Sequence, residues 1–287
     1  MSVTIITDDA AVLSPDLKET AGNKLLVAAF SIMNNSNFLF YSNERQDGNS
    51  ERFSRALAEP SKNHLTTAQP SPADYLRLFR QAIALGARSI VCITISGKLS
   101  GSYDSAHLAK QLMDSNFPIY LVDSRFASSP QGWLVNLALN LSNNGIEGKE
   151  IAKTLEQAVS DILLIQTADN LDYLKARGRL GKASVIAAST LNTRPIVGLI
   201  DGEVGFLAKV RYARLYQKMI ELAAHFTSGR KVKIGFTHTD DPERIQLLAK
   251  MAHDHLNISC HFTSEQTWVL AANTGPQTFG MGLILDY

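Results

Sequence analysis

The sequence predicts an α/β protein built in two parts, and three observations predict it. Apolar runs of strand length alternate with segments of helix length through the first half, the pattern of a mainly parallel sheet wrapped by helices. After residue 161 the pattern changes to a hairpin signal and several closely spaced strand-like runs. The 287 residues, 45% hydrophobic and 19% charged, are enough for two cores of ordinary composition. The expected division is an N-terminal α/β domain over 1–160 and a C-terminal α/β domain over 161–287.

Val3 to Thr7 reads as a buried strand closed by the turn residues Asp8 and Asp9. Leu25 to Ile32 is a second strand-like run and Phe38 to Tyr41 a third. Residues 43 to 64 are polar and include Pro60, which predicts a surface loop or short helix. Ser71-Pro72-Ala73-Asp74 opens a helix, with Ser71 as N-cap and Pro72 at its first position. Tyr75, Leu78, Phe79, Ala82 and Ile83 fall at helical spacing on one face. Ser89 to Ile95 is a β-branched run between Gly86 and Gly97, hence a buried strand. Ser100 to Met113 predicts a helix with Tyr103, Ala106, Leu108 and Leu112 as its apolar residues. Ile119 to Val122 is a strand closed by Asp123-Ser124, and Gln131 to Leu141 and Glu147 to Ile162 are helical.

In the second part Leu163 to Gln166 is strand-like, and Leu171 to Arg177 is a short helix stopped by Gly178. Pro195 to Ile200 and Val204 to Leu207 flank Asp201-Gly202, a hairpin turn pair. Tyr212 to Phe226 is helical, Lys231 to Phe236 a strand, and Pro242 to His255 a helix begun near Asp240 and Asp241. Ile258 to Phe262, Trp268 to Ala271 and Met281 to Leu285 read as the final strands.

Composition narrows the function. A net charge of +1 argues against a general nucleic-acid or membrane-surface binder. Cys92 and Cys260 each lie in or beside an apolar run, so both are expected as buried, reduced thiols. Met1 to Asp9 has neither a basic segment nor a long apolar one, and no run approaches a membrane span; a cytoplasmic protein is expected. The Gly-x-Gly-x-x-Gly and Gly-x4-Gly-Lys-Ser/Thr cradles are absent. His253 and His255 point to different faces of their helix, and Cys260-His261 has no second ligand pair nearby, so no metal and no cofactor are expected.

The most informative stretches are Leu65 to Ser71 and Ile95 to Tyr103. Hydroxyl residues sit there in two predicted loops, each running into a predicted helix, whose free N–H groups and partial positive charge favour an oxyanion. Plain capping explains the same serines. A serine nucleophile at Ser96 or Ser100 lacks both a Gly-x-Ser-x-Gly elbow and a locally spaced histidine or acid. Lys175, Arg177, Arg179 and Lys182 surround Gly178 and Gly181, either as a solvated helix end or as a patch for phosphate or an acidic partner. Asn273-Thr274-Gly275-Pro276 reads as a turn between two strands.

Taken in order, these motifs resemble the DegV family of bacterial fatty-acid-binding proteins. The resemblance runs from Ile5-Ile6-Thr7-Asp8 through Thr67 to Ser71, Ser96 to Tyr103 and Val122-Asp123-Ser124. It continues through Leu171 to Lys175 with Arg177-Gly178-Arg179, Arg194-Pro195-Ile196, Asp201-Gly202 and Asn273 to Pro276. It implies two α/β domains of the DegV type, with a long-chain fatty acid as bound ligand in a tunnel at the head-group loops. Thr67, Ser96, Asn273 and Thr274 would hold the carboxylate, supported by Thr66, Ala68, Gln69, Gly97 and Ser128. It also implies a fatty acid kinase as partner, docked or aided by Arg177 and Arg179, and a transient membrane contact for lipid exchange. The alternatives are a serine-based hydrolase or phosphotransfer protein, and a lipid sensor without a kinase. The chain departs from the family pattern at three places: Ala68 and Gly97 stand where serines are usual, and Asn273 where histidine is usual. The head-group site thus has two fewer hydroxyls and no titratable imidazole.

Overall fold

The computed structural model describes residues 3–44, 48–59, 64–113, 116–169, 171–180 and 192–286. In chain order the first part contains β1 (Val3–Asp8), α1 (Pro15–Thr20), β2 (Leu25–Ala28), β3 (Ser31–Asn34), β4 (Asn37–Tyr41) and α2 (Asn49–Ala58). It continues with β5 (Leu65–Ala68), α3 (Pro72–Ala84), β6 (Ser89–Thr94), α4 (Ser102–Gln111), β7 (Ile119–Asp123), α5 (Ser128–Asn143) and α6 (Gly148–Ala158). The chain then passes through a short 3-10 turn, Val159–Asp161, into β8 (Ile162–Thr167) and α7 (Asp172–Ala176). After these come β9 (Thr193–Ile200), β10 (Glu203–Arg211), α8 (Leu215–Thr227), β11 (Val232–His238), α9 (Pro242–His255), β12 (Ile258–Glu265), α10 (Trp268–Thr274) and β13 (Phe279–Leu285).

The first sheet is parallel, in the order β2-β1-β6-β7. Every residue of β1 is buried, as a parallel strand covered on both faces requires. On one face Ile6, Ile90 and Cys92 pack against Tyr75 and Phe79 of α3 and Ala106 and Ala109 of α4. On the other, Val3, Ile5, Val91 and Ile93 meet α5 and α6. The second sheet has the order β10-β9-β8-β13-β11-β12 and is antiparallel except where β11 meets β12. One face is covered by α8 and α9, through Met219, Ile220, Ile245 and Leu248. The other meets α5, which touches β11 and β13 as well as β1 and β6. A helix packed on both sides must be apolar nearly all round, and most of α5 is buried.

The third sheet, β4-β3-β5, is small and antiparallel. Its core joins Ile32, Phe40 and Phe53 to Trp268 of α10, with Phe53 stacked on Trp268 at 5.0 Å between ring centroids. This sheet corrects two readings of the sequence. The run Leu25 to Ile32 is two strands in different sheets. It breaks at Phe30, whose N–H donates to Ser42 Oγ and whose carbonyl accepts from Ser42 N–H. Thr66 and Thr67 lie on β5, bonded to β3, not in a loop.

Other differences have local causes. Trp268 to Ala271 form a helix: the whole segment is buried, and an unbroken apolar run does not distinguish buried helix from buried strand. Asn273 and Thr274 are therefore its last turn, and Gly275, at φ +81°, ends it. A side chain at Gly275 would run into the Tyr173 ring. Leu108 and Leu112 are 45% and 50% exposed, because α4 turns its small residues Ser105, Ala106 and Ala109 inward. The helix from Glu147 stops at Ala158, and Ile162 already belongs to β8. Cys92 is buried, and burial pushes its thiol pKa up; Cys260 is exposed on β12, an edge strand.

Candidate functional site

The first sheet reverses direction beside β1: the chain goes from β1 out to β2 and later returns on the other side as β6. A crevice at the carboxyl ends of the strands is expected at such a point. Asp8 and Ile95 stand there, and a cavity of about 90 Å³ opens alongside, where a small-molecule site is expected. Phe30, Ile95, Leu99 and Ala127 line it from the first part of the chain. Leu164, Val197, Leu199 and Val204 line it from the second sheet, and Val269 and Leu270 from α10.

Polar groups gather at Thr67, Gln69, Ser100, Ser128, Asn273 and Thr274. Strand β5 and helix α10 bring the first and last of these together across the chain. Asn273 Nδ2 donates to Thr67 Oγ1 at 3.2 Å and to Val269 O at 2.7 Å. Thr274 Oγ1 is 3.0 Å from Leu270 O and 3.2 Å from Gln266 Oε1. With its oxygen accepting from Asn273, the Thr67 hydroxyl proton is free to point at a ligand. Ser128 holds φ at +62°, an unfavourable region for a residue with a Cβ. Its N–H donates to Ala10 O, and its Oγ lies 3.4 Å from Thr237 Oγ1.

The expected residues divide between the cavity and its surroundings. Thr67, Gln69, Ser128, Asn273, Thr274 and Arg179 line the cavity. Ser96 is fully buried and set apart from the lining: its Oγ donates to Gly202 O at 2.7 Å and accepts from Lys98 N–H. It therefore docks the β9–β10 hairpin turn onto the β6–α4 loop, helped by an exposed Lys98–Glu203 pair. Gly97 N–H donates to the Asp123 carboxylate. Thr66 and Ala68 flank Thr67 outside the lining. Arg179 Nε donates to Leu99 O at 3.2 Å and Nη1 to Arg177 O at 2.7 Å. Arg177 is half-buried, and burial lowers its pKa. Gly181 and Lys182, read with that cluster, lie outside the described residues. The helix-end reading changes at α3, because Ser71 and Asp74 already form its capping box and an incoming anion would meet the Asp74 carboxylate.

Asp8, expected as a turn residue, is the last residue of β1 and ties the crevice together. Its Oδ1 accepts from Gln131 Nε2 at 2.9 Å and Ala10 N–H at 3.3 Å. Its Oδ2 accepts from Ser102 Oγ at 2.6 Å and Ile95 N–H at 2.9 Å. One carboxyl thus links the ends of β1 and β6 and the starts of α4 and α5. Burial raises its pKa, and the four hydrogen bonds oppose that shift without cancelling it. An acid ending an otherwise apolar strand was the available signal.

Among the described residues no helix is long and apolar enough to cross a membrane, and no group of His, Cys, Asp and Glu is placed to hold a metal. The family model described as "Uncharacterised protein, DegV family" matches residues 2–286. A DegV domain-containing protein of Caldanaerobacter subterraneus subsp. tengcongensis is 27% identical over 284 residues, 97% of each chain. Another, from Streptomyces coelicolor, is 29% identical over 230 residues, 79% of this chain and 81% of that one. A DegV family protein from Thermus thermophilus, described by its fatty acid binding, has a TM-score of 0.89 at 25% identity over all of both chains. A stearic-acid-binding protein from Eubacterium ventriosum has a TM-score of 0.87 at 23% identity, over 99% of this chain and 98% of that one; at that identity the likeness is one of fold.

Proposed function

The chain belongs to the DegV family, and from that premise we propose that it binds a long-chain fatty acid in the cavity beside β1 and β6. The observation that carries the reading is the cavity's chemistry: largely apolar walls with hydroxyls and amides among them, and no carboxylate among the described residues that line it. Each buried methylene contributes ~0.8 kcal/mol, so an acyl chain supplies the driving force, while the carboxylate needs full hydrogen bonding once it leaves water. In this reading the Thr67 hydroxyl donates to it, Asn273 orients that hydroxyl, Thr274 Oγ1 turns from Leu270 O to join it, and Arg179 supplies the nearby positive charge. Ser96 acts indirectly, by fixing the hairpin turn. The Thermus thermophilus relative, named for fatty acid binding, supports the ligand class.

A carrier role extends this reading. The bound acid would be presented to a fatty acid kinase for acyl-phosphate formation, with Arg177 and Arg179 at the docking face and a transient membrane contact for exchange. A serine hydrolase is less well supported, since Ser96 is engaged by Gly202 and Lys98, and Ser100 Oγ accepts from Ser102 N–H. A nucleophile needs a base within hydrogen-bond reach. The test is direct titration with stearic acid by calorimetry. Thr67→Val is expected to weaken binding by ~1–3 kcal/mol, about 5- to 150-fold, for loss of a donor to a charged acceptor. Unchanged affinity in Thr67→Val and Asn273→Ala together would remove the proposed carboxylate site.

A further inference from the structure

The sheet face that walls the cavity continues past it. Side chains alternate along a strand, so every second residue shares a face. On β8 this face carries Gln166, Leu164 and Ile162, and on β9 it carries Val197 and Leu199. Gln166 pairs with Val197. A Cβ at Gly198 would meet the Leu164 carbonyl, so β9 passes Leu164 beside Leu199. Gln166, Leu164, Val197 and Leu199 line the cavity already described. Ile162 instead lines a second cavity, together with Phe126, Val159 and Leu199. Among the described residues Leu199 alone is common to both linings.

The polar cluster marks one end of this track. Thr274 O accepts from Thr278 Oγ1, and the next residue, Phe279, opens β13 and pairs with Thr167 of β8. The cluster of Thr67, Asn273 and Thr274 therefore lies at the Thr167 end of β8. Ile162 begins the strand at the opposite end, about 17 Å away along it. An acyl chain with its carboxylate at the cluster runs along this face towards Leu199. The space beyond is the larger one, about 330 Å³ against about 90 Å³. Phe126 and Ile162 give it a buried, apolar floor, and the exposed Arg125, Glu156 and Asp201 border it. Apolar surface for further methylenes thus lies past Leu199, up to a charged edge.

We infer that Leu199 sets the length of acyl chain the protein accepts, by closing the first cavity against the second. The inference rests on the acyl-binding reading and deepens it. The experiment is calorimetric titration of the full chain with a series of saturated fatty acids lengthening by two carbons at a time. Affinity for the unaltered protein is expected to climb with length to one optimum and then to fall. Leu199→Ala is expected to move the optimum up by at least two carbons and to tighten binding of that longer acid about 15-fold, at ~0.8 kcal/mol per buried methylene. Leu164→Ala removes the same atoms from the same face but lines only the first cavity; it is expected to weaken every acid and leave the optimum in place. Ser160 lines the second cavity from an exposed position, and adding Ser160→Trp to Leu199→Ala is expected to cancel the gain. An unmoved optimum in Leu199→Ala, an equal shift in Leu164→Ala, or a gain untouched by Ser160→Trp would overturn the inference while leaving acyl binding intact. Leu199→Val, a smaller truncation, is expected to favour the longer acid to a lesser degree, and decides the question if Leu199→Ala does not fold. Failure of every acid to bind the unaltered protein would overturn the acyl-binding reading itself.

Discussion

Asp8 has a fully buried carboxyl whose pKa is raised by burial, and the consequence for stability has a definite sign. Between the ordinary value of 3.8 and the higher folded value, the native state binds more protons than the unfolded chain. Stability from this group is therefore greatest below the ordinary value, falls as pH rises through that window, and is flat above the folded pKa. Urea unfolding of the protein and of Asp8→Asn from about pH 4 to about pH 7 should show the stability advantage of Asp8 shrinking as pH rises. A widening advantage would mean that the hydrogen bonds outweigh burial. Asn273 carries a second prediction. An imidazole with a pKa near 6.5 exchanges protons at neutral pH and a carboxamide does not. In the carrier reading Asn273→His should raise acyl-phosphate formation with a cognate kinase, by up to ~10²–10⁴-fold, with little change in acyl affinity. Equal turnover in the two proteins would show the imidazole to be dispensable. Thr67, Asn273 and Thr274 line the cavity; Thr67 stood out as a hydroxyl in a short polar motif, whereas Asn273 and Thr274 read locally as a turn and became candidates only through the family resemblance. The role of Ser96 was not readable, because its partner Gly202 lies 106 residues away.

The hairpin of β9 and β10 supplies Val197, Leu199 and Val204 to the cavity wall. Its turn sets Gly202 at φ +83°, and a Cβ there would stand 2.6 Å from Ser96 Oγ, so only glycine fits both the backbone and the contact. Ser96→Ala would leave the buried Gly202 carbonyl without its donor. The expected cost is ~1–3 kcal/mol in unfolding free energy, measured by urea denaturation of the ligand-free protein. Unaltered stability would mean that the docking contact contributes nothing and that Ser96 is free to serve the ligand. The hairpin itself was legible from Asp201-Gly202 between two apolar runs, because a turn pair and its flanking strands are local signals. The parallel strands and α3 were legible for the same kind of reason: continuous β-branched runs, and Ser71 with Pro72 and Asp74 as a capping box. Helix α10 was not. Its apolar run satisfies either period, and the small sheet that buries Trp268 against Phe40 and Phe53 comes from more than 200 residues earlier in the chain.

Across the whole molecule, α5 lies between two sheets, and the cavity opens where its first turn meets the ends of β1 and β6. One continuous core runs from Val3 through Leu134 to Ile284, so the two parts named from the sequence share the apolar packing that shapes the site. The alternation of elements predicted the sheets, but the cavity arises from their juxtaposition, which depends on long-range pairing and not on any local pattern. The central claim is that this space holds a fatty acid non-covalently. Native mass spectrometry of the protein purified from bacterial cells tests it most directly. The account predicts an excess mass in the range of a long-chain fatty acid, lost on denaturation and recovered as free acid in the organic extract. A chain with no excess mass after incubation with such acids, or an adduct that survives denaturation on a serine, would contradict it.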